Sequence, residues 1–298
     1  MRSVASIKDR LKNRSKETGR SLQELFTVYG LERTIYRLSI SKYVDNFTLK
    51  GGIFLYAVFD GNYARATTDI DFLAQKISNE AEDMKAVFKG IFSLETDDPL
   101  RFDLDSLDVI PITEFKKYPG VNVSIKAYLD RTEIPISIDI GFGDVIVPSK
   151  TEIDFPVLLS DEVPRVYTYS LASSIAEKFE AIVSLAYDNS RYKDYYDIYV
   201  LAHRHCFDGM EIAEALKETF ENRHTPMDEI VAFEEGFSDD PIRQTRWKSF
   251  VKKKKAMLPV TMDETIETMR LFLLPVVDSI RAGEKFKKTW KCEDQAWT

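Results

Sequence analysis

Two runs of alternating apolar and polar residues, joined by a short turn, constrain the fold most strongly. The first run is VNVSIKAYL at 121–129, and the second, EIPISIDIG at 133–141, repeats the pattern with four isoleucines. A period of two places successive side chains on opposite faces of a strand. Asp130, Arg131 and Thr132 supply the turn between the runs. The sequence therefore predicts an antiparallel hairpin with one buried face, and Pro135 favours an edge position or a bulge in its second strand.

The rest of the chain divides into a mixed first part and a helical remainder. Further strands are predicted at 47–50, 70–73 and 102–112, and helices at 21–41, from the glycines after Lys50, and at 78–92. Prolines mark 148–169 as a loop, and everything from Ser170 onward is predicted to be helical. We expect an α+β fold, with a mixed-sheet domain and N-terminal helices at 1–165 and a helical bundle domain at 166–298.

Composition narrows the class of protein. The chain has 298 residues, of which 44% are hydrophobic and 30% charged, as in a soluble globular protein. The apolar runs at 53–59 and 271–277 are too short to cross a bilayer, and the first twenty residues lack the apolar core of a signal peptide. Cys206 and Cys292 are isolated in the sequence, and His203 and His205 near Cys206 are interpreted as a helix end. We expect a cytoplasmic protein with no membrane partner and no zinc site.

The distribution of charge is uneven. The net charge is −8, which argues against a general nucleic-acid coat. Residues 241–298 nevertheless contain 13 Lys and Arg against 7 Asp and Glu, a net of +6. This basic segment either contacts phosphates locally or forms the solvated face of helices.

Two aspartates flank a single isoleucine in the stretch TTDIDF. If residues 70–73 form a strand, the carboxylates of Asp69 and Asp71 project from the same face. Adjacent carboxylates repel, and a divalent cation between them relieves the repulsion. Asp139, on the polar side of the isoleucine strand, is a candidate third ligand. The alternatives are an acidic pair at a solvated strand end and an aspartate on the wet face of a sheet.

Three further features favour an anionic ligand. Gly51 and Gly52 lie between a predicted strand and a predicted helix, where exposed N–H groups bind phosphate, although they also suit a simple tight turn. Lys178 falls on the apolar stripe of a helix, so its side chain either extends to the surface or faces a polar cavity. Asp194 and Asp197 follow on the next helix.

With these features in view, the chain resembles the AbiEii/AbiGii toxin family of nucleotidyltransferases, the toxins of type IV toxin–antitoxin systems. Four stretches carry the resemblance across roughly 45–205. They are LKGGIFLYAVF with RATTDIDF at 49–72, ISIDIG at 136–141, IAEKFEAI at 175–182, and RYKDYYDIYVL at 191–201.

The resemblance implies a nucleotidyltransferase-like sheet domain followed by a helical domain. It implies that Asp69 and Asp71 bind Mg²⁺ or Mn²⁺, with Asp139 as a possible third carboxylate. The remaining site residues that it implies are Gly51 and Gly52 on the nucleoside triphosphate, Arg65 and Thr67 before the acidic pair, Lys178 on phosphate, and Asp194 or Asp197 completing the site.

The resemblance also implies an activity and partners. Family members transfer nucleotides from NTP to an RNA acceptor, the 3′ end of tRNA in known members, which stops translation in phage defence by abortive infection. A separately encoded antitoxin is the expected partner. Two departures concern the nucleotide: Gly-Gly replaces the Gly-Ser of many nucleotidyltransferases, and sixteen residues separate Gly52 from Asp69.

Two other functions fit the same residues. Clustered carboxylates also serve metal-dependent nucleases, although hydrolysis does not require the glycine turn. A degenerate nucleotidyltransferase fold could instead serve as a non-catalytic module that binds RNA or protein. Release of pyrophosphate distinguishes transfer from cleavage, and absence of NTP binding in the presence of Mg²⁺ would favour the non-catalytic module.

Overall fold

The computed structural model describes residues 3–62, 67–112, 120–159, 162–254 and 260–298, with the backbone alone at 253 and 254. The chain forms two compact units. The first contains Met1–Gly143 and Thr151–Tyr169, and the second contains Asp144–Lys150 and Ser170–Thr298.

The first unit is built on a mixed β-sheet. Its helices are α1 (Val4–Thr18), α2 (Leu22–Ser39), α3 (Gly51–Val58) and α4 (Ala81–Phe92). Its strands are β1 (Phe47–Lys50), β2 (Ile70–Ala74), β3 (Arg101–Pro111), β4 (Gly120–Leu129), β5 (Thr132–Phe142), β6 (Thr151–Asp154) and β7 (Arg165–Thr168). The strand order is β3-β4-β5-β2-β1-β7-β6, in which β5 is parallel to β2 and β1 is parallel to β7.

The predicted hairpin is confirmed as β4 and β5, which pair antiparallel from Gly120 opposite Gly141 to Leu129 opposite Thr132. The four isoleucines of β5 are all fully buried. Helix α2 packs directly on them at Gly30, where an added Cβ would lie 2.8 Å from the side chains of both Ile134 and Ile136. This close approach explains a glycine in the middle of a helix, where the residue otherwise costs stability.

The buried face of the sheet also receives α4. Phe88 of α4 packs edge-on against Phe47 of β1, and Phe47 packs in turn against Phe72 of β2. Because side chains alternate along each strand, the residues between these buried ones project from the opposite face of the sheet. Asp71 and Asp139 are among them.

Pro135 occupies a position where β5 has one neighbour. Strand β2 begins at Ile70, opposite Ile138, so the part of β5 that contains Pro135 pairs only with β4 in the described residues. On the side of β5 away from β4, the missing N–H of proline therefore removes no bond from the sheet. The expected edge position is correct locally, although β5 as a whole is central.

The expectation of a loop at 148–169 is wrong in part, because it contains β6 and β7. Thr48 of β1 lies opposite Tyr167 of β7 in a parallel pairing, and β6 adds to β7 antiparallel. Strands of four residues between prolines show too few alternations to be recognised in the sequence. They extend the sheet beyond β1.

The second unit consists mainly of helices. They are α5 (Leu171–Leu185), α6 (Tyr192–Arg204), α7 (Gly209–Asn222), α8 (Pro241–Lys254) and α9 (Met262–Arg281). Asp144 belongs to this unit because its carboxylate accepts hydrogen bonds from the guanidinium of Arg223, at 2.9 and 3.2 Å. In the part of the chain that the structure describes, no helix is long and apolar enough to cross a membrane.

The expectation that the chain is helical throughout from Ser170 is also wrong in part. Three short strands, β8 (Phe207–Asp208), β9 (Thr289–Lys291) and β10 (Ala296–Trp297), form a second sheet. Trp290 of β9 is fully buried, and its indole N–H donates to the carbonyl of Ala202 in α6 at 2.7 Å. One buried indole and its hydrogen bond thus fix the C-terminal strands to the helices.

Candidate functional site

The parallel pairing of β2 with β5 places two of the candidate carboxylates side by side. Asp71 lies opposite Asp139 in the register of the two strands. Neighbouring residues in register project from the same face of a sheet, so both carboxylates are on the face opposite the isoleucines. Both side chains are half-buried.

Asp69 joins this pair from the residue before β2. Carboxylate oxygens of Asp69, Asp71 and Asp139 all lie within 4.8 Å of one another. No ion pair joins Asp69 or Asp139 to a lysine or arginine within the described ranges. Three carboxylates at this separation repel one another unless a cation offsets their charge. We call these three residues the acidic cluster.

Gly51 lies beside the acidic cluster. Lys50, the last residue of β1, pairs with Asp71 across the antiparallel β1–β2 ladder, and α3 begins at the next residue. An added Cβ at Gly51 would lie 1.9 Å from Oδ2 of Asp71, and its φ is +65°. Both the space and the left-handed backbone conformation therefore require glycine here. The sequence suggested that glycine at this position lets the backbone bind phosphate. The structure adds a steric reason for glycine here, which is the close approach of Asp71.

The first turn of α3 presents backbone N–H groups next to the acidic cluster. Gly51 and Gly52 are the first two residues of α3, and the described structure records no side-chain cap on that helix end. The first N–H groups of a helix have no partner within it, and they are suited to an anion.

Two polar residues near the acidic cluster were not recognised in the sequence. Asn122 of β4 lies opposite Asp139, and its side-chain amide donates to Oδ1 of Asp139 at 2.7 Å and to Oγ of Ser137 at 2.9 Å. Lys50 lies opposite Asp71, with its ammonium 3.5 Å from the hydroxyl of Tyr169. The alternation of β4 did show that Asn122 is on the polar face, but only the pairing of strands makes it a neighbour of Asp139.

Of the two residues expected before the acidic pair, the structure describes Thr67 but not Arg65. Thr67 is 3% exposed, and its hydroxyl has no hydrogen-bond partner among the residues described. A buried hydroxyl without a partner is costly, so this position is suited to a polar ligand. Thr48 of β1 is buried in the same way. Arg65 lies outside the described residues.

The remaining candidate site residues, Lys178, Asp194 and Asp197, lie close together in the second unit. Lys178 of α5 is buried, and its ammonium lies 2.6 Å from Oδ2 of Asp197 and 3.5 Å from Oδ1 of Asp194. Asp194 also lies 2.6 Å from the guanidinium of Arg191, whose side chain is exposed. Both aspartates are fully buried. Lys178 therefore does not extend to the surface: its charge is held among carboxylates, as a buried charge requires.

The chemistry of the acidic cluster follows from its donor atoms. Carboxylate oxygens are the ligands that Mg²⁺ and Mn²⁺ prefer, and they are poor ligands for soft metals. The cluster therefore fits a hard divalent cation, and the adjacent α3 terminus fits the phosphate groups of a ligand that such a cation would share.

Comparisons with known proteins agree with this chemistry. A family model described as "Nucleotidyl transferase AbiEii toxin, Type IV TA system" matches residues 33–269, which is more than half of the chain. The matched range contains the acidic cluster, both glycines and Lys178. No curated protein sequence matches the chain significantly.

Two solved structures are similar in fold. The crystal structure of JHP933 from Helicobacter pylori has a TM-score of 0.50 and 17% identity, and the match covers 88% of this chain and 95% of that one. A second H. pylori structure, described as a proposed nucleotidyltransferase, has a TM-score of 0.48 and 16% identity, covering 86% and 96%. At 17% identity the likeness to JHP933 supports the fold alone. The predicted fold class, a mixed sheet combined with a helical part, is confirmed.

Proposed function

Because the chain belongs to the AbiEii family of nucleotidyltransferase toxins from type IV toxin–antitoxin systems, we propose that it transfers nucleotides from an NTP to an RNA acceptor. The acceptor in this proposal is the 3′ end of tRNA, and the consequence is a block in translation. The family assignment agrees with the resemblance seen in the sequence, and it implies an antitoxin as partner.

One observation carries the proposal: the acidic cluster and the start of α3 lie side by side. The carboxylates of Asp69, Asp71 and Asp139 lie within 4.8 Å of one another, and Gly51 contacts Asp71. A site for nucleotidyl transfer needs negative ligands for a cation and donors for phosphate at one place. This end of the sheet offers both.

The three aspartates would hold Mg²⁺ or Mn²⁺, because their carboxylate oxygens lie within 4.8 Å of one another and such oxygens are the ligands that these cations prefer. When bound, such an ion supplies positive charge that offsets the charge developing on the α-phosphate and on the pyrophosphate leaving group. Asn122 keeps Asp139 in position through the hydrogen bond between its amide and the carboxylate.

The other residues of the first unit bind and orient the triphosphate in this proposal. The N–H groups of Gly51 and Gly52 donate to phosphate oxygens, and the hydroxyl of Thr67 donates to the nucleotide, with Arg65 as a further cation. A hydroxyl of the acceptor attacks the α-phosphorus and releases its proton to water, the α–β phosphate bond breaks, and pyrophosphate leaves. Holding the two reactants in line supplies much of the rate enhancement.

We assign Lys178 to phosphate binding on the family resemblance, with Asp194 and Asp197 as the groups that position it. Its ammonium has three donor hydrogens, of which the contact with Asp197 uses one. A buried lysine between two aspartates is a fixed positive charge, in contrast to a mobile surface lysine.

A nucleic-acid acceptor is supported by α8. This helix contains six Lys and Arg residues and no acidic residue. Its apolar side packs through Trp247 and Phe250 against Tyr192 and Tyr196 of α6, whereas Lys248 on its other side is exposed. Arg246, Lys248 and Lys252 are exposed on this helix, and such basic side chains on a chain of net charge −8 are suited to the phosphate backbone of RNA.

The test is incubation of the purified protein with total RNA, Mg²⁺ and each of the four NTPs in turn, labelled at the α-phosphate. We expect label on intact RNA of tRNA size with one or more NTPs, release of pyrophosphate, and a yield that falls steeply with salt concentration. Shortened RNA without label would instead show a nuclease. Label on no RNA with any NTP, from protein that binds NTP, would reject the RNA acceptor.

A further inference from the structure

The second sheet brings together the two cysteines, which are 86 residues apart in the sequence. Strands β8 and β9 pair antiparallel, with Phe207 opposite Trp290. Cys206 is the residue before β8, and Cys292 is the residue after β9, so both lie at the same end of this ladder. Their sulfur atoms are 3.1 Å apart. The two cysteines, which are isolated in the sequence, are therefore neighbours in the fold.

We propose that Cys206 and Cys292 form a reversible disulfide, which fastens the C-terminal strands to the end of α6. The present separation exceeds the length of a disulfide bond by about 1 Å, so a small side-chain adjustment closes it. The pairing of β8 with β9 already holds the two backbones at the required proximity. No large movement of the chain is needed.

The exposure of the two thiols sets the order of the reaction. Cys206 is exposed and Cys292 is partly buried. The hydrogen bond with Cys206, burial and the nearby carboxylate of Glu293 raise the pKa of the Cys292 thiol to about 11. The more accessible Cys206 therefore reacts first, and Cys292 acts as the resolving thiol.

The oxidant in this proposal is a small disulfide such as oxidised glutathione. The Cys206 thiolate attacks one of its sulfurs, forms a mixed disulfide and releases one glutathione thiolate. The Cys292 thiolate then attacks the Cys206 sulfur and releases the second glutathione. Two protons leave the protein thiols and protonate the two glutathione thiolates, so one disulfide is consumed and one is formed.

A metal site is the competing use of the same residues. Glu293 Oε2 lies 3.9 Å from the Cys206 sulfur, and one ligand atom each from Cys206, Cys292 and Glu293 lie within 4.8 Å of one another. Structural zinc sites use four protein ligands, and the described residues offer three here, two of them on the turn after β9. The disulfide needs only the two sulfurs, and it is the simpler product of this geometry.

The bond would stabilise the second unit. It would close a loop that contains α7, α8 and α9, and so restrict the unfolded chain. Because the sequence contains only these two cysteines, any intramolecular disulfide is assigned to them without ambiguity.

The experiment equilibrates the full-length protein in glutathione buffers of increasing oxidised fraction, traps free thiols with an alkylating reagent, and measures intact mass and thermal unfolding. The matched controls are Cys206→Ser and Cys292→Ser. We expect loss of two alkylation sites together in the wild type, and a rise in unfolding midpoint of roughly 5–10 °C. Each single variant should acquire one glutathione and show no such rise.

Three results would overturn the proposal. One is a wild-type protein that accumulates only glutathione adducts or intermolecular dimers. Another is an intramolecular disulfide that leaves the unfolding midpoint unchanged. The third is stoichiometric zinc in the purified protein that Cys206→Ser loses, which would assign the residues to a metal site. Because mass and stability are the readouts, these outcomes are independent of nucleotidyl transfer.

Discussion

Asp71 on β2 lies directly opposite Asp139 on β5, although the two residues are 68 positions apart in the sequence. The pairing is parallel, and it sets both carboxylates on one face of the sheet within reach of Asp69. Gly51 contacts the same Asp71 from the start of α3, directly after the other neighbouring strand, β1. Asp71 is thus the residue through which the proposed cation site and the proposed phosphate site are joined.

Gly51→Ala should abolish transfer by crowding Asp71. The added methyl group would lie 1.9 Å from the carboxylate, and alanine is disfavoured at a φ of +65°. Gly19→Ala is the matched control, because Gly19 has a φ of +70° with no atom within 4 Å of the added Cβ. Gly19→Ala should lose about 1 kcal/mol of unfolding free energy from the left-handed backbone conformation alone. Gly51→Ala should lose at least as much, because its methyl group also displaces the Asp71 side chain. Only Gly51→Ala should lose transfer, and equal activity in the two variants would contradict the contact.

Asn122→Ala should raise the Mg²⁺ concentration that transfer requires, and the variant should still fold. The variant removes the 2.7 Å hydrogen bond to Asp139. We expect the Mg²⁺ concentration for half-maximal transfer to rise about 10- to 100-fold. Ser137→Ala removes the other partner of the Asn122 amide and leaves the Asp139 contact in place. Ser137→Ala should therefore reach half-maximal transfer at the same Mg²⁺ concentration as the wild type. If Asn122→Ala also does so, Asn122 does not position Asp139.

Lys178 can be tested with a single and a double variant. Lys178→Met leaves Asp197 buried without its cation, which should cost about 3–5 kcal/mol of unfolding free energy. Adding Asp197→Asn removes the buried carboxylate charge and should restore most of that stability, measured by urea denaturation. If Lys178 binds phosphate, transfer stays lost in the stable double variant. Recovery of transfer would make the role of Lys178 structural.

Glu32 should make stability depend on pH. Burial raises the pKa of its carboxyl to about 7 from 4.5, although Arg33 and the backbone N–H of Leu158 oppose the shift. An acid with a raised pKa in the folded state favours the protonated form, so its stabilisation is present below pH 4.5 and is lost as pH rises to 7. The loss amounts to about 3 kcal/mol.

The measurement is urea denaturation of the wild type and Glu32→Gln at pH 5 and pH 8. The free energy of unfolding of Glu32→Gln, relative to wild type, should be higher at pH 8 than at pH 5. Glu95→Gln, at an exposed position, should show no such difference. If the unfolding free energy of Glu32→Gln relative to the wild type is the same at both pH values, Glu32 ionises normally in the folded protein.

The local features of the fold were accessible from the sequence, and the long-range pairings were not. The alternation in 121–141 predicted β4, β5 and the buried isoleucine face, because a strand that is buried on one side needs that pattern. The spacing of Asp69 and Asp71 likewise predicted a shared face. The neighbourhood of Asp71 and Asp139 depends on how β2 aligns with β5, which no local pattern encodes.

The same reason explains the features that were missed. Strands of two to four residues, such as β7 and β9, are too short for a period to show, and they form because a partner strand or a buried Trp290 holds them. The proximity of Cys206 and Cys292 follows from one such strand pair. Lys178 was recognisable as an anomaly on an apolar stripe, but its aspartate partners became identifiable only from the packing of α5 on α6.

The most direct test of the acidic cluster compares Asp71→Asn with Asp105→Asn, which changes an exposed aspartate of the same sheet. Each protein is titrated with Mn²⁺ by electron paramagnetic resonance in the presence of a non-hydrolysable NTP, and its transfer of labelled nucleotide to RNA is measured in parallel. We predict that Asp105→Asn binds Mn²⁺ and transfers nucleotide as the wild type does. Asp71→Asn should fold but lose tight Mn²⁺ binding and at least about 100-fold of the transfer rate. Wild-type Mn²⁺ binding and transfer in a folded Asp71→Asn protein would contradict the assignment of the site.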